Sequence, residues 1–368
     1  MRDFAEAPLL VLWELTQACD LACQHCRASA QPERHEAELS TEEAHRVLEQ
    51  IRAFGNPLVV FTGGDPLKRS DLFNLIEKSV SLGLRTTVTP SATPLLTHAA
   101  VAAFHSSGIS RMAVSLDGPK KAIHDGFRGV EGSFARTIAA LKFAAQIGLE
   151  TQVNTTVSSH NLDHLERIAQ LVSDSKAQLW SVFFLVVTGR ARMEDDLNAE
   201  EYERVFKFLY RTSLIAPFDI KTTEAPHYRR YYAQQRKQGG AGAAQPVPSL
   251  IQRQSGINDG KGLLFISHTG EIFLSGFLEI SAGNVRTQSL AGAYRNSPLF
   301  RVIRDTDQLE GKCGVCDYRN LCGGSRSRAL ALYRSAGYVG EAGVCFRRSK
   351  TRGHFLYARS GSDGDAPI

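Results

Sequence analysis

Seven cysteines fall in two groups, three between positions 19 and 26 and four between 313 and 345. The first group reads Thr16-Gln17-Ala18-Cys19-Asp20-Leu21-Ala22-Cys23-Gln24-His25-Cys26, a C-x3-C-x2-C spacing that puts three thiols on one short loop. A cubane iron–sulfur cluster has four iron corners and normally takes four cysteines. A loop with three, and no local fourth, leaves one iron open to bind a cofactor or substrate. Structural zinc needs four closed ligands, usually as two C-x2-C-type pairs, and this loop has no second pair. By spacing alone, a zinc loop or three incidental buried cysteines stays open as the alternative. The second group, Cys313, Cys316, Cys322 and Cys345, is C-x2-C-x5-C-x22-C. Four thiolates there would close a cluster completely, and zinc is the alternative, because C-x2-C begins many zinc sites.

These loops need a frame, and the chain supplies a repeating one. From residue 9 to about 215, short β-branched runs alternate with amphipathic segments. Strands are expected at Leu9–Leu15, Leu58–Thr62, Arg85–Thr89, Met112–Leu116, Thr151–Val157 and Leu179–Val187. Ser40-Thr41-Glu42-Glu43 is a capping box that starts a helix. Phe134, Ile138, Leu141 and Ala145 recur at helical spacing on one face, and Gly148 ends that helix. Alternating βα units imply a parallel sheet with helices outside it, and chemistry at the C-terminal strand ends. The cysteine loop follows the first strand directly. Six units fall short of the eight that close a full barrel.

Bulk properties exclude several classes. The length allows one large domain and a smaller one. A net charge of +5 and a pI near 8.8 suit an anionic partner but fall short of a nucleic-acid signature. The start lacks the basic head and apolar core of a signal peptide, and no apolar run is long enough to span a membrane. A cytoplasmic location is expected. An odd cysteine count in such a chain argues against a disulfide framework and for metal or redox chemistry.

The cysteine loop and its setting resemble the radical S-adenosylmethionine (SAM) superfamily. The resemblance implies an α/β fold built on a partial (β/α)6 barrel over residues 9–215. It also implies a 4Fe–4S cluster on Cys19, Cys23 and Cys26 whose open iron chelates SAM. The reduced cluster then cleaves SAM to methionine and a 5′-deoxyadenosyl radical, with flavodoxin or ferredoxin as electron donor. Other strand-end segments match the family's cofactor pattern. Thr62-Gly63-Gly64-Asp65-Pro66 resembles Gly-Gly-Glu-Pro, whose backbone and carboxylate receive the methionine amino group. Gly63 and Gly64 would allow close approach, and Asp65 is one methylene shorter than the usual Glu. Ser115, in Ser115-Leu116-Asp117-Gly118-Pro119, is expected to face the SAM carboxylate or ribose, with Asp117 ordering the loop. Asn154 would point toward the ribose hydroxyls. Arg136 is a candidate partner for the carboxylate, with a solvated helix arginine as its plain alternative. His25 is expected to pack near the adenine.

The second group resembles the SPASM/twitch-like extension of these enzymes and implies a second, auxiliary 4Fe–4S cluster on Cys313, Cys316, Cys322 and Cys345. Full SPASM proteins hold two auxiliary clusters, whereas here Ser275, Arg326 and the region of Ser255 stand where further cysteines would be. The expected layout is a linker or lid at 216–262, the auxiliary-cluster domain at 263–346 and a tail at 347–368. The extension would begin with a hairpin, Leu263–Ser267 and Glu271–Phe277. The one-auxiliary-cluster arrangement resembles the tetrapyrrole-modifying branch, whose substrates are haem-type macrocycles. A maturase acting on a ribosomally made precursor peptide is the alternative within the family. A zinc- or iron–sulfur-binding scaffold is the alternative outside it. The basic, aromatic run Thr223–Tyr232 is expected to border the active-site mouth, with Arg229 and Arg230 facing substrate carboxylates. His227 is either an iron ligand or a core histidine.

Overall fold

The first strand, β1 (Leu10–Glu14), lies inside the sheet, with three strands on one side of it and six on the other. The computed structural model describes residues 3–238 and 257–335; Cys345, the region of Ser255, the Gly/Ala/Gln/Pro run after residue 238 and the tail at 347–368 lie outside the described residues. β2 (Leu58–Thr62) and β5 (Thr151–Val157) have the bounds the sequence pattern gives. β3 (Arg85–Val88), β4 (Arg111–Ser115) and β6 (Leu179–Phe184) differ from it only at their ends. The helices between them are α1 (Thr41–Arg52), α2 (Leu72–Ser81), α3 (His98–Ser106), α4 (Lys121–Arg128), α5 (Ser133–Gln146), α6 (Leu165–Asp174) and α7 (Ala199–Ser213). Ser40 caps α1 by accepting the Glu43 N–H, while the Glu43 carboxylate accepts the Ser40 N–H at 2.9 Å. That reciprocal pair satisfies two of the helix's orphan donors. On α5 the buried stripe runs through Thr137, Ala140, Leu141 and Ala144, so Ala145 is exposed.

Two features depart from the expected plan. A seventh parallel strand, β7 (Asp219–Thr223), pairs with β6, and α8 (Tyr228–Gln238) follows it, both inside the stretch expected to be a linker. The C-terminal hairpin is not separate from the barrel: β8 (Leu263–Ile266) pairs in parallel with β1, Leu10 opposite Leu263. β9 (Glu271–Ser275) and β10 (Leu278–Asn284) extend the same sheet antiparallel. The result is a ten-stranded sheet ordered β10-β9-β8-β1-β2-β3-β4-β5-β6-β7.

This sheet curls. Phe183 of β6 and Phe277, in the turn between β9 and β10, have ring centroids 6.5 Å apart. Seven strand spacings separate β6 from β9, about 34 Å in a flat sheet. Contact requires the sheet to wrap into an open barrel, the partial (β/α) barrel expected. Alternation then sorts the side chains. Trp180 packs edge-on against Phe208 of α7 and against Phe218, so Leu179, Ser181 and Phe183 face the lumen.

Candidate active site

The cysteine loop leaves the C-terminal end of β1 and is gripped on three sides. Gly64 N–H donates to the Thr16 carbonyl at 2.8 Å and Asp65 N–H to the Ala18 carbonyl at 2.7 Å. On another side Ala22 N–H donates to the Arg128 carbonyl and Gln24 N–H to that of Phe127. On the third, Arg190 reaches over from beyond β6: its backbone N–H, Nε and Nη1 donate to the carbonyls of Cys26, Cys23 and Ala30. Glycines make the approaches possible. A Cβ at Gly63 would stand 2.5 Å from the Thr16 carbonyl oxygen, and one at Gly129 (φ +70°) 2.5 Å from that of Ala22. At Gly189 (φ +61°) it would overlap the carbonyl oxygens of Cys26 and Arg27.

Each of the three sulfurs has a hydrogen-bond donor aimed at it. Leu21 N–H lies 3.3 Å from Cys19 Sγ, Ala30 N–H 3.4 Å from Cys26 Sγ, and Arg128 Nη1 3.7 Å from Cys23 Sγ. Donors directed at sulfur suit thiolates, which accept well, better than neutral thiols. Burial pushes the Cys19 thiol up to about 11 and raises that of Cys23. Deprotonation here therefore calls for a cation. Among the described residues no three Cys, His, Asp or Glu side chains converge on a single ion. Two buried nitrogens beside the loop, His25 Nδ1 and Arg190 Nη2, lack a partner among the described residues, as a site shaped for a further bound group would leave them.

Arg128, which sequence reasoning missed, links the loop to Asp117. The Asp117 carboxylate is fully buried and ion-paired to the Arg128 guanidinium, with Nε to Oδ2 at 2.7 Å, and it accepts the Thr156 N–H at 2.7 Å. Burial raises the Asp117 pKa, but the Arg128 charge, together with the neighbouring His25 and His124 and the Thr156 N–H, holds the carboxyl below its ordinary range. Arg128 thus spans from a buried carboxylate to the Cys23 sulfur. His25 stacks on Phe127 at 4.1 Å, and burial, then Arg128, pull its pKa down to about 3, so it is neutral. It is a packing residue.

Asp65 is also turned inward. Its oxygens accept N–H bonds from Leu67 and Ser91 and the Thr93 hydroxyl at 2.7 Å, so the carboxylate braces the loop after β2. Arg136 donates to the Ala92 and Glu131 carbonyls and has no acidic partner among the described residues. Ser115, Asn154, Ser181 and Lys221 stand opposite one another across β4, β5, β6 and β7, one row on the lumen face. The Asn154 Oδ1 accepts from Gln152 at 2.7 Å, which leaves its amide N–H groups to donate.

An open cavity of about 360 Å³ adjoins the loop, lined by Arg27, Phe265, Phe273, His268 and Glu14 among others. Arg27 lies 4.7 Å over the Phe265 ring and pairs with Glu14 and with Glu279 at 2.8 Å, while His268 Nδ1 meets Glu14 at 2.6 Å. The sequence signal for these residues was only their place at strand ends.

Cys313, Cys316 and Cys322 come together near Arg229 and Arg326, whose charges bear on Cys322 and Cys313. Ser275 is buried among hydroxyls, 3.5 Å from Ser327 Oγ, which donates to Asp259 at 2.8 Å. Arg326 bonds the Gly323 carbonyl. Arg229 and Arg230 do not face the mouth as expected. Arg229 donates to the Ile257 and Leu321 carbonyls, and Arg230 pairs with Glu203. His227 packs between Tyr202 and Phe206, and burial lowers its pKa to about 3, so it is the core histidine of the two readings. No helix among the described residues is long and apolar enough to cross a membrane.

A model of the Radical SAM superfamily matches residues 13–172. Among curated proteins, one named AdoMet-dependent heme synthase, from Oleidesulfovibrio alaskensis, is 38% identical over 94% of this chain and 89% of its own. Another of that name, from Methanosarcina barkeri, is 35% identical over 95% and 99%. Among solved structures, Streptococcus suis SuiB bound to S-adenosylmethionine superposes with a TM-score of 0.71 over 88% of this chain and 74% of that one, at 19% identity. That last likeness is one of fold.

Proposed function

Because the chain belongs to the radical SAM superfamily, we propose that it is a SAM-cleaving enzyme acting on a haem-type tetrapyrrole, whose propionate side chains it modifies or decarboxylates. SAM and a 4Fe–4S cluster, when bound, supply a 5′-deoxyadenosyl radical that takes a hydrogen atom from the substrate. The observation that carries the enzyme reading is the loop with three sulfurs, each met by a donor, at the C-terminal end of β1. What carries the substrate reading is similarity along nearly the whole chain to proteins named heme synthases.

The protein's own groups divide the work. Cys19, Cys23 and Cys26 would hold three irons and leave the fourth open. The Gly63-Gly64 backbone lies closest to the loop and would take the methionine amino group, with Asp65 bracing it. Arg136 and Ser115 would receive the SAM carboxylate, and Asn154 a ribose hydroxyl. Cys313, Cys316, Cys322 and Cys345 would hold an auxiliary 4Fe–4S cluster, which supplies the one-electron acceptor a propionate-to-vinyl conversion requires. Flavodoxin or ferredoxin is the reductant. The cavity lined by Phe265, Phe273 and Arg27 offers flat aromatic and guanidinium faces to a macrocycle edge. Its two carboxylates, Glu14 and Glu279, both pair with Arg27, and Glu14 also bonds His268 Nδ1.

A Soret-band titration of anaerobically reconstituted protein tests the substrate class. Iron–coproporphyrin or a siroheme derivative is expected to bind at micromolar concentration. If none binds while a small peptide encoded beside this gene does, the precursor-peptide reading replaces this one.

A further inference from the structure

His268 lies just past the C-terminal end of β8, which runs parallel to β1, so it stands at the same end of the barrel as the cysteine loop. Its backbone is pinned there by the Leu39 N–H, which donates to the His268 carbonyl at 2.9 Å. Its ring is held as well: Nδ1 meets Glu14 Oε1 at 2.6 Å, and His35 packs edge-on with ring centroids 5.4 Å apart. Glu14 is buried. Burial pushes its carboxyl up, but the Arg27 charge, together with the bond to His268, holds it below its ordinary value. An ionised carboxylate can only accept hydrogen bonds. The proton of a neutral His268 therefore sits on Nδ1, and Nε2 carries the lone pair. That Nε2 has no hydrogen-bond partner among the described residues.

The ring lines the open cavity beside the cysteine loop, and the same wall includes Arg27 and Gly189. Arg27 follows Cys26 directly, and Gly189 packs against the Cys26 carbonyl. Of the residues lining this cavity, His268 is the one that offers a nitrogen lone pair. An acid or base has no task in the proposed conversion. Loss of a hydrogen atom, carbon dioxide and one electron turns a propionate into a vinyl group and moves no proton. What the lone pair can serve is a metal. A ligating histidine characteristically gives its other ring N–H to a carboxylate, which fixes the tautomer and makes the ligand more basic. Histidine is also a common axial ligand of macrocyclic iron. We infer that His268 Nε2 ligates the iron of the macrocycle, with Glu14 orienting it, and so anchors the ring beside the cysteine loop. This rests on the tetrapyrrole reading above.

The test titrates ferric iron–coproporphyrin and metal-free coproporphyrin into anaerobically reconstituted wild type, His268→Ala and His268→Gln. The variants are matched to the wild type in cluster iron and thermal midpoint, and Gln keeps a donor for Glu14. Iron–coproporphyrin is expected to bind both variants at least about 10-fold more weakly, the low end of what losing one partner costs a metal site. Metal-free coproporphyrin should bind all three proteins within a few-fold. The Soret band of the iron complex should move in the variants, and added imidazole should restore it in His268→Ala. In wild type grown on isotopically labelled histidine, the ferric complex should show hyperfine coupling to a histidine nitrogen. An unmoved Soret band in both variants overturns the inference. An equal loss for the iron and metal-free rings overturns it too, by placing His268 on the ring edge, as does a fall in SAM affinity, which would give the histidine to SAM. Wild type that binds both rings without the coupling overturns it while leaving the tetrapyrrole reading intact. If the wild type binds neither ring, that reading fails first and this inference falls with it.

Discussion

Replacing Arg128 with Met should destabilise the protein and loosen the cluster site together, because one guanidinium serves both. Its partner Asp117 is fully buried, and the Arg128 side chain is only 12% exposed. Removing one member of a buried ion pair costs about 3–5 kcal/mol, since the other charge is left in a poor medium. Asp117 keeps the Thr156 N–H at 2.7 Å, so the low end, about 3 kcal/mol, is expected. In Asp117→Asn/Arg128→Met the stranded charge is gone, and roughly half of that loss should return. The contact from Arg128 Nη1 to Cys23 Sγ gives a second readout. Without a positive donor, the cluster's reduction potential should fall in both Met-containing variants, because the donor favours the more negative, reduced state. Anaerobic urea unfolding measures the first effect and redox titration followed by electron paramagnetic resonance the second. An Arg128→Met protein with wild-type stability and wild-type potential would refute the reasoning.

Further outcomes follow from the same geometry. Gly189→Ala should lower iron retention at least several-fold in a gel-filtration assay. It adds a left-handed-region cost of about 1–2 kcal/mol and drives a methyl into the Cys26 and Arg27 carbonyls. Neutral His227, whose pKa falls to about 3 on burial, gives stability that is fully present above the unfolded value near 6.5. That stability is lost as pH falls toward the folded value, because the unfolded chain binds the extra proton. His227→Phe should therefore flatten the acid limb of a denaturation series between pH 6 and 4 by up to about 1.4 kcal/mol per pH unit. Changing Cys19, Cys23 and Cys26 to Ala should leave about four irons per chain, and changing the four C-terminal cysteines should leave the other four. Stoichiometric zinc instead would point to a metal-stabilised scaffold.

Local chemistry was legible in the sequence, and direction was not. β2 and β5 were readable to the residue because their alternation is bounded by turn residues, and the α1 cap because Ser40 and Glu43 are a local pair. β7 was missed because Asp219–Thr223 holds one buried apolar residue, Ile220, and turns a lysine inward. Pairing of the hairpin with β1 joins residues about 250 positions apart, which no local pattern encodes. Within the site, the strand-end segments that carry Gly63, Ser115 and Asn154 lie around one lumen, as parallel βα architecture requires. Charge type misled where orientation decides. Arg229 and Arg230 are tied to backbone carbonyls and to Glu203, whereas Arg128, on a helix of ordinary polar composition, turns inward to Asp117 and Cys23.

The central claim is that this barrel directs a SAM-derived radical onto a tetrapyrrole side chain. It is tested most directly by incubating reconstituted enzyme anaerobically with SAM, a reductant and iron–coproporphyrin, and following both products by mass spectrometry. The account predicts 5′-deoxyadenosine release together with a macrocycle lighter by carbon dioxide and two hydrogens per altered propionate, both lost when Cys19 is Ala. Fully iron-loaded protein that releases no 5′-deoxyadenosine, or releases it while leaving every bound macrocycle unchanged, would contradict it.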